Sequence, residues 1–284
     1  MRKLQSEVRT EPMVPTRPSE SSNRKPPRFQ IPFARVPHWH MLLGMSLSPE
    51  TLAENLARIR DRMTAACHRA GRSPDAVELL AVSKFHTPDT VAAAARLGLT
   101  LFGENRVQEA KAKIPQCPTH IQWHLLGHLQ SNKARDAVAL FNMIETVDSL
   151  ELARELQKQA EKQARTVRIL LEVNIAGEAS KFGWTPDRVL TDLAAVNALP
   201  RLELHGLMTI APYSVDVEMV RPVFRRLREL QSRCSHLLGA PLPVLSMGMS
   251  GDFEVAIEEG ATRIRVGTAL FGDRPRLSHV PETN

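Results

Sequence analysis

Val77-Glu78-Leu79-Leu80-Ala81-Val82-Ser83-Lys84 is an apolar run of strand length that stops at a cation. A short apolar run bounded by a turn signal reads as a strand buried on both faces. It is the first of eight such runs. The others are Leu99–Phe102, Ile121–Leu126, Met143–Val147, Val167–Val173, Leu202–Met208, Pro243–Met247 and Arg263–Val266. Segments of helical period lie between them. Their starts are marked by Thr87-Pro88-Asp89, Asp148-Ser149-Leu150-Glu151 and Thr185-Pro186-Asp187, where a capping hydroxyl or carboxylate precedes proline or an acidic first turn. Eight alternations in about 240 residues predict one α/β domain, a (β/α)8 TIM-type barrel. A doubly wound parallel sheet is the alternative. A further helix over Pro49–Ala70 precedes the first run. Leu52, Leu56, Ile59, Met63 and Cys67 share one of its faces, and Gly71 ends it.

A parallel barrel binds its ligands at the C-terminal ends of its strands. Lys84 would stand there, where partial desolvation lowers an amine's pKa and frees it to attack an aldehyde. The seventh run leads into Ser246-Met247-Gly248-Met249-Ser250-Gly251-Asp252 and the eighth into Gly267-Thr268. Barrels often hold phosphate at these two loops, where glycine lets the backbone approach the anion and N–H and hydroxyl groups donate to it. Ser246, Gly248, Ser250, Gly251, Gly267 and Thr268 supply that chemistry. Arg265 lies two residues before Gly267, so both point the same way on a strand. Arg263 shares that parity; its earlier position suits a structural ion pair, and Arg265 suits a ligand contact.

An amine facing a phosphate cradle is the layout for pyridoxal 5′-phosphate (PLP). The strings AVSK, FGEN with VQE, WH-LLGHLQSNK, HGLMTI, SMGMSGDFE-AI and RVGTALFG closely resemble the pyridoxal phosphate homeostasis protein family over about residues 48–273. The resemblance implies a barrel of the alanine-racemase N-terminal type. It implies that Lys84 forms the Schiff base and that Ser250, Gly267 and Thr268 hold the phosphate. It also places Arg265 against the pyridine nitrogen and Asn105 along the cofactor's edge. With Ser246 and Gly251 from the loop chemistry, these are the expected cofactor contacts.

The net charge of +6 is concentrated at one end. Residues 1–44 hold eight Lys/Arg against three Asp/Glu, leaving only +1 for the rest. This segment is rich in Pro, Ser and Arg and is expected to be a disordered tail, either a translated extension or sequence upstream of a start at Met45. Residues 45–284 are then the cofactor-binding barrel. Nothing in the folded part's composition points to nucleic acid. No apolar run approaches the roughly 20 residues of a membrane span. Cys67, Cys117 and Cys234 form neither a metal spacing nor a disulfide framework, which points to the cytoplasm. The protein is expected to be a monomer whose partners are PLP and PLP-dependent apoenzymes.

Three smaller features read as structural. His124 and His128 are four apart but sit on a strand-like run that breaks at Gly127, so a metal site is not expected. Arg221, Arg225, Arg226 and Arg228 read as a solvated helix face. Lys181, in the family-like segment Ala179–Gly183, reads as a loop lysine or a secondary basic group near the barrel mouth.

Two function classes compete. A racemase needs two opposed acid/base groups. Lys84 can be one, but the single tyrosine, Tyr213, lies after the sixth run, and no second domain follows the eighth. A cation beside the pyridine nitrogen also weakens the ring as an electron sink. The expectation is therefore a non-catalytic PLP-binding protein that buffers or delivers its ligand. A PLP-dependent amino-acid racemase is the alternative.

Overall fold

A computed structural model of the chain describes residues 48–178 and 181–272. The expected tail, residues 1–44, lies outside them, as do Ala179 and Ser180. Eight parallel strands close into a barrel in sequential order: β1 (Glu78–Val82), β2 (Leu101–Glu104), β3 (Gln122–Leu125), β4 (Met143–Val147), β5 (Val167–Glu172), β6 (Leu202–Met208), β7 (Val244–Ser246) and β8 (Arg263–Val266). The closing seam pairs β1 with β8, Glu78 opposite Arg263 through Ala81 opposite Val266.

The expected helix before the first strand is α1 (Pro49–Arg69). The Ser48 hydroxyl accepts from Thr51 N at its start, and all five predicted face residues are buried. Seven helices follow successive strands: α2 (Pro88–Arg96), α3 (Val107–Lys113), α4 (Ala134–Leu140), α5 (Leu150–Lys162), α6 (Pro186–Asn197), α7 (Arg221–Leu238) and α8 (Phe253–Glu258). The three predicted starts are real caps. Thr87, Ser149 and Thr185 each accept a hydrogen bond from the backbone N–H three residues on. After β8 there is only a single turn, α9 (Thr268–Phe271). Helix α1 packs against α8 and α9 and covers the wall that so short a helix leaves open. Asn55 of α1 donates to Leu270 O at 3.0 Å, and Arg62 pairs with Glu254 at 2.8 Å.

The main apolar core lies between strands and helices. Two small apolar clusters, Leu80–Val82–Leu126 and Met143–Leu170–Met208, are separate from it and line the barrel's inside. Polar groups fill the remaining interior. His124, Glu145, Ser246, Arg263 and Arg265 are all buried and bonded to one another across four strands.

Strand β2 runs two residues past its apolar stretch. Gly103 and Glu104 pair with His124 and Leu125, so Glu104 belongs to the ladder and not to the loop after it. The α7 arginines are also more than a solvated face. Arg221, Arg225 and Arg228 converge on Glu259 at 3.3, 3.0 and 3.4 Å, and Arg221 adds Glu258 at 2.7 Å. They pin α7 to the end of α8. Among the described residues no helix is long and apolar enough to cross a membrane, and no group of His, Cys, Asp and Glu could hold a metal ion.

Candidate functional site at the barrel mouth

A cavity of about 380 Å³ opens at the C-terminal ends of β1, β2, β7 and β8, within the range of small-molecule sites. Its walls include Lys84, Asn105, Ser250, Gly251, Arg265, Gly267 and Thr268, seven of the eight residues expected from the sequence. Val82, Leu126, Ile210 and Met249 supply apolar wall.

The side expected to take an anion is built from two loops. Gly248 makes the turn after β7 at φ +90°, and a Cβ there would meet Ala256 Cβ at 2.6 Å, so the loop needs glycine. The Ser250 hydroxyl accepts from Ala269 N at 3.2 Å, which ties the β7 loop to the start of α9. Among the described residues, the backbone N–H groups of Gly251 and Thr268 donate to no protein acceptor. A phosphate fits this donor set.

Arg265 forms part of the floor. Its Nη1 donates to Ser246 Oγ and its Nη2 to Thr209 O, both at 2.8 Å. The eighth expected residue, Ser246, is therefore not a cavity wall. The last residue of β7 points into the barrel and is fully buried. Its hydroxyl donates to Glu145 Oε2 at 2.6 Å while accepting from Arg265. It positions the arginine from below. Glu145 also takes His124 Nδ1–H at 2.7 Å and Arg263 Nη1 at 3.0 Å. Burial pushes the Glu145 carboxyl up, but the His124 hydrogen bond and the charges of Arg263 and Arg265 outweigh it and hold it at about 2. Arg263 also pairs with Glu78 at 2.6 Å, the structural ion pair its parity allowed.

Lys84 is fixed through its neighbours. The Ser83 hydroxyl donates to Glu104 Oε1 at 2.6 Å, and Ser83 O accepts from Lys113 Nζ at 2.9 Å. Beyond it, Phe85 takes φ +69° and donates its N–H to Glu109 Oε1 at 2.6 Å. Lys113 joins both flanks, bonding Glu104 Oε1 at 2.8 Å and Glu109 Oε1 at 3.1 Å. One buried cation thus clamps the backbone on either side of Lys84. The Glu109–Lys113 spacing of four on a helix signalled half of this cluster; its partner Glu104 looked like a loop residue.

A second cavity of about 280 Å³ adjoins the first across Asn105, Leu126 and Ile210. Gly127 lies in its wall, where a Cβ would stand 2.1 Å from Asn105 O, so glycine lets the β2 and β3 loops touch. His128 is here, paired with Asp148 at 3.0 Å and stacked on Phe182 at 3.6 Å. It is separate from His124, whose imidazole is held below its ordinary value by burial while its Nδ1 bonds Glu145. Lys181 lines this second cavity, its ammonium 2.6 Å from Glu178. Glu172, at the end of β5, is also in the wall. Burial, with the nearby charge of Asp148, pushes its carboxyl up to about 7.

That shift has a sign. The folded state holds the Glu172 proton more tightly than the unfolded chain does. Glu172 therefore costs nothing below pH 4.5 and destabilises progressively as pH rises through 7. Glu172→Gln is expected to match the parent protein near pH 4.5 and to exceed it by about 3 kcal/mol at pH 8, measured by denaturant unfolding at both pH values.

Residues 50–275 match the family model of the alanine racemase N-terminal domain. A pyridoxal phosphate homeostasis protein of Aquifex aeolicus is 43% identical over 222 residues, covering 78% of this chain and 97% of that one. PipY of Synechococcus elongatus, in a structure described as having PLP bound, superposes with TM-score 0.68 at 38% identity, covering 78% of this chain and all of PipY. An alanine racemase of Clostridium difficile shares the fold at TM-score 0.64 and 15% identity, with 57% of its length matched.

Proposed function

The chain belongs to the alanine racemase N-terminal domain family and, within it, to the pyridoxal phosphate homeostasis proteins, and from that premise we propose that it binds PLP at the barrel mouth, holds it through a Schiff base on Lys84, and buffers or delivers it to apoenzymes. The observation that carries this reading is the single cavity that joins Lys84 to Ser250, Gly251, Gly267, Thr268 and Arg265. Bound PLP supplies an aldehyde to which an amine can add. The residues would divide the ligand between them. Ser250 and the Gly251, Gly267 and Thr268 backbone take the phosphate, Lys84 the aldehyde carbon, Arg265 the pyridine side and Asn105 the edge. Ser246 and Glu145 hold Arg265 in place from below.

Several observations favour a carrier over a racemase. Among the described residues lining the cavity, the ionisable side chains are Lys84 and Arg265. Arginine stays protonated, so Arg265 cannot serve as the second acid/base group that a racemase needs. Tyr213 is 95% exposed and is not part of the wall. The Aquifex aeolicus relative is matched over nearly its whole length, whereas the racemase is matched over little more than half. Cys67, Cys117 and Cys234 are free and buried, which supports a reducing compartment such as the cytoplasm.

Absorbance spectroscopy tests the lysine. Protein loaded with PLP is expected to show a Schiff-base band that Lys84→Ala removes or strongly reduces. A band that persists unchanged refutes the assignment. Incubation with a panel of L- and D-amino acids tests the carrier. Turnover well above background and dependent on Lys84 would make the protein a racemase.

A further inference from the structure

The second cavity contains a carboxyl that no described group answers. Glu172 is 7% exposed and lines that cavity. Its side chain makes no hydrogen bond or ion pair with any described residue, although its backbone carbonyl accepts from Trp184 N. Of the other polar side chains of the wall, three are matched, and that of Asn105 bonds to no described residue. His128 faces Asp148, and Lys181 faces Glu178. Asn174 donates to Glu178 O and accepts from Gly177 N. Arg265 is close enough to lower the Glu172 carboxyl's pKa, but its Nη atoms are bonded to Ser246 and Thr209. The Glu172 oxygens are not shut off in the interior but open onto the cavity, so what occupies the cavity must answer them. Around it, Leu126, Val173, Phe182 and Ile210 make an apolar lining. Asp148 adds negative charge near Glu172, while Glu178 and Lys181 offset one another.

We infer that this cavity is a binding site for a small primary alkylammonium ion, with the Glu172 carboxylate accepting hydrogen bonds from the ammonium and the apolar wall packing its chain. A three-donor ammonium matches a carboxylate that lacks donors. The binding site stands on the cavity alone. Its use rests on the reading above: an amine held across Asn105 and Ile210 from Lys84 is placed beside the aldehyde site and would compete with that lysine for it.

The test is a titration of the full-length chain with n-butylammonium chloride at pH 8, where the Glu172 carboxyl is ionised. The readouts are calorimetry and the 13C resonance of the Glu172 carboxyl. Saturable binding that moves this resonance is expected, weakened at least tenfold in Glu172→Gln and not competed by n-butanol. Glu172→Gln keeps the side chain's shape and removes an unpaired charge, so it is expected to fold; an unchanged circular dichroism spectrum checks this. Equal binding by the parent and Glu172→Gln, or no saturable binding by the parent, overturns the site. Lys84→Ala separates the two readings. It is expected to lose the Schiff-base band yet bind n-butylammonium as the parent does. Loss of amine binding in Lys84→Ala would place the amine in the first cavity and sink the proposal.

Discussion

Lys113→Met is expected to destabilise the protein by about 3–5 kcal/mol in denaturant unfolding, the cost of breaking a buried ion pair by removing one partner. Lys113 is 6% exposed and its ammonium reaches Ser83 O, Glu104 Oε1 and Glu109 Oε1. Glu104 is wholly buried and its Oε2 already has no partner among the described residues. Burial pushes the Glu104 carboxyl up, and the Lys113 charge is the main force opposing it. Without the cation only the Ser83 hydroxyl remains to it. The double variant Glu104→Gln/Lys113→Met removes the wholly buried orphaned charge, leaving only the more exposed Glu109 carboxylate without its cation, and is expected to recover more than half of the loss. A double variant as unstable as the sum of the two single changes would show that packing, and not charge pairing, sets the cost. The clamp on Ser83 and Phe85 is lost in both, so PLP affinity is expected to stay low even where stability returns.

Glu145→Ala is expected to cost a similar 3–5 kcal/mol, since it strips partners from His124, Ser246 and Arg263 at once. It should also loosen Arg265, whose Nη1 rests on the Ser246 hydroxyl. Glu145→Gln isolates the charge. The carboxyl titrates at about 2 when folded against an ordinary 4.5, so its stabilisation is complete above pH 4.5 and fades as pH falls toward 2. The gap between the parent and Glu145→Gln should therefore be widest at neutral pH and narrow on acidification. A gap that is constant from pH 7 to pH 3 would exclude the ionised carboxylate as its source.

The strands were legible because burial on both faces leaves a continuous apolar run, as in Met143–Val147 and Leu202–Met208. The loops that line the mouth cavity were legible because glycine and hydroxyl residues follow those runs at the end where barrels bind. The barrel's polar interior was not. His124, Glu145 and Glu172 each sit within or at the end of an apolar run, and a sequence cannot tell a buried carboxylate that meets an arginine from one that meets nothing. Glu145 ends up with three donors and Glu172 with none among the described residues, a difference set by β3, β7 and β8 and not by local context. Ser246 was assigned to the ligand with the loop that follows it, but its place on the strand turns it beneath Arg265. Arg221, Arg225 and Arg228 carried helical spacing and no hint of Glu259, which lies 38, 34 and 31 residues away on another element.

The closing seam has a consequence for how the chain acquires its shape. Arg263 meets Glu78 across 185 residues, and Asn55 reaches Leu270 across 215. Neither contact can form until nearly the whole domain has left the ribosome. Until then β1 and the newest strand are both open edges, able to pair with another chain. Contacts this distant in sequence make folding slow relative to a helical bundle of equal size. The nascent chain therefore stays an unclosed sheet until β8 pairs with β1, and the turn that follows, Thr268–Phe271, completes the wall of the cavity at the mouth.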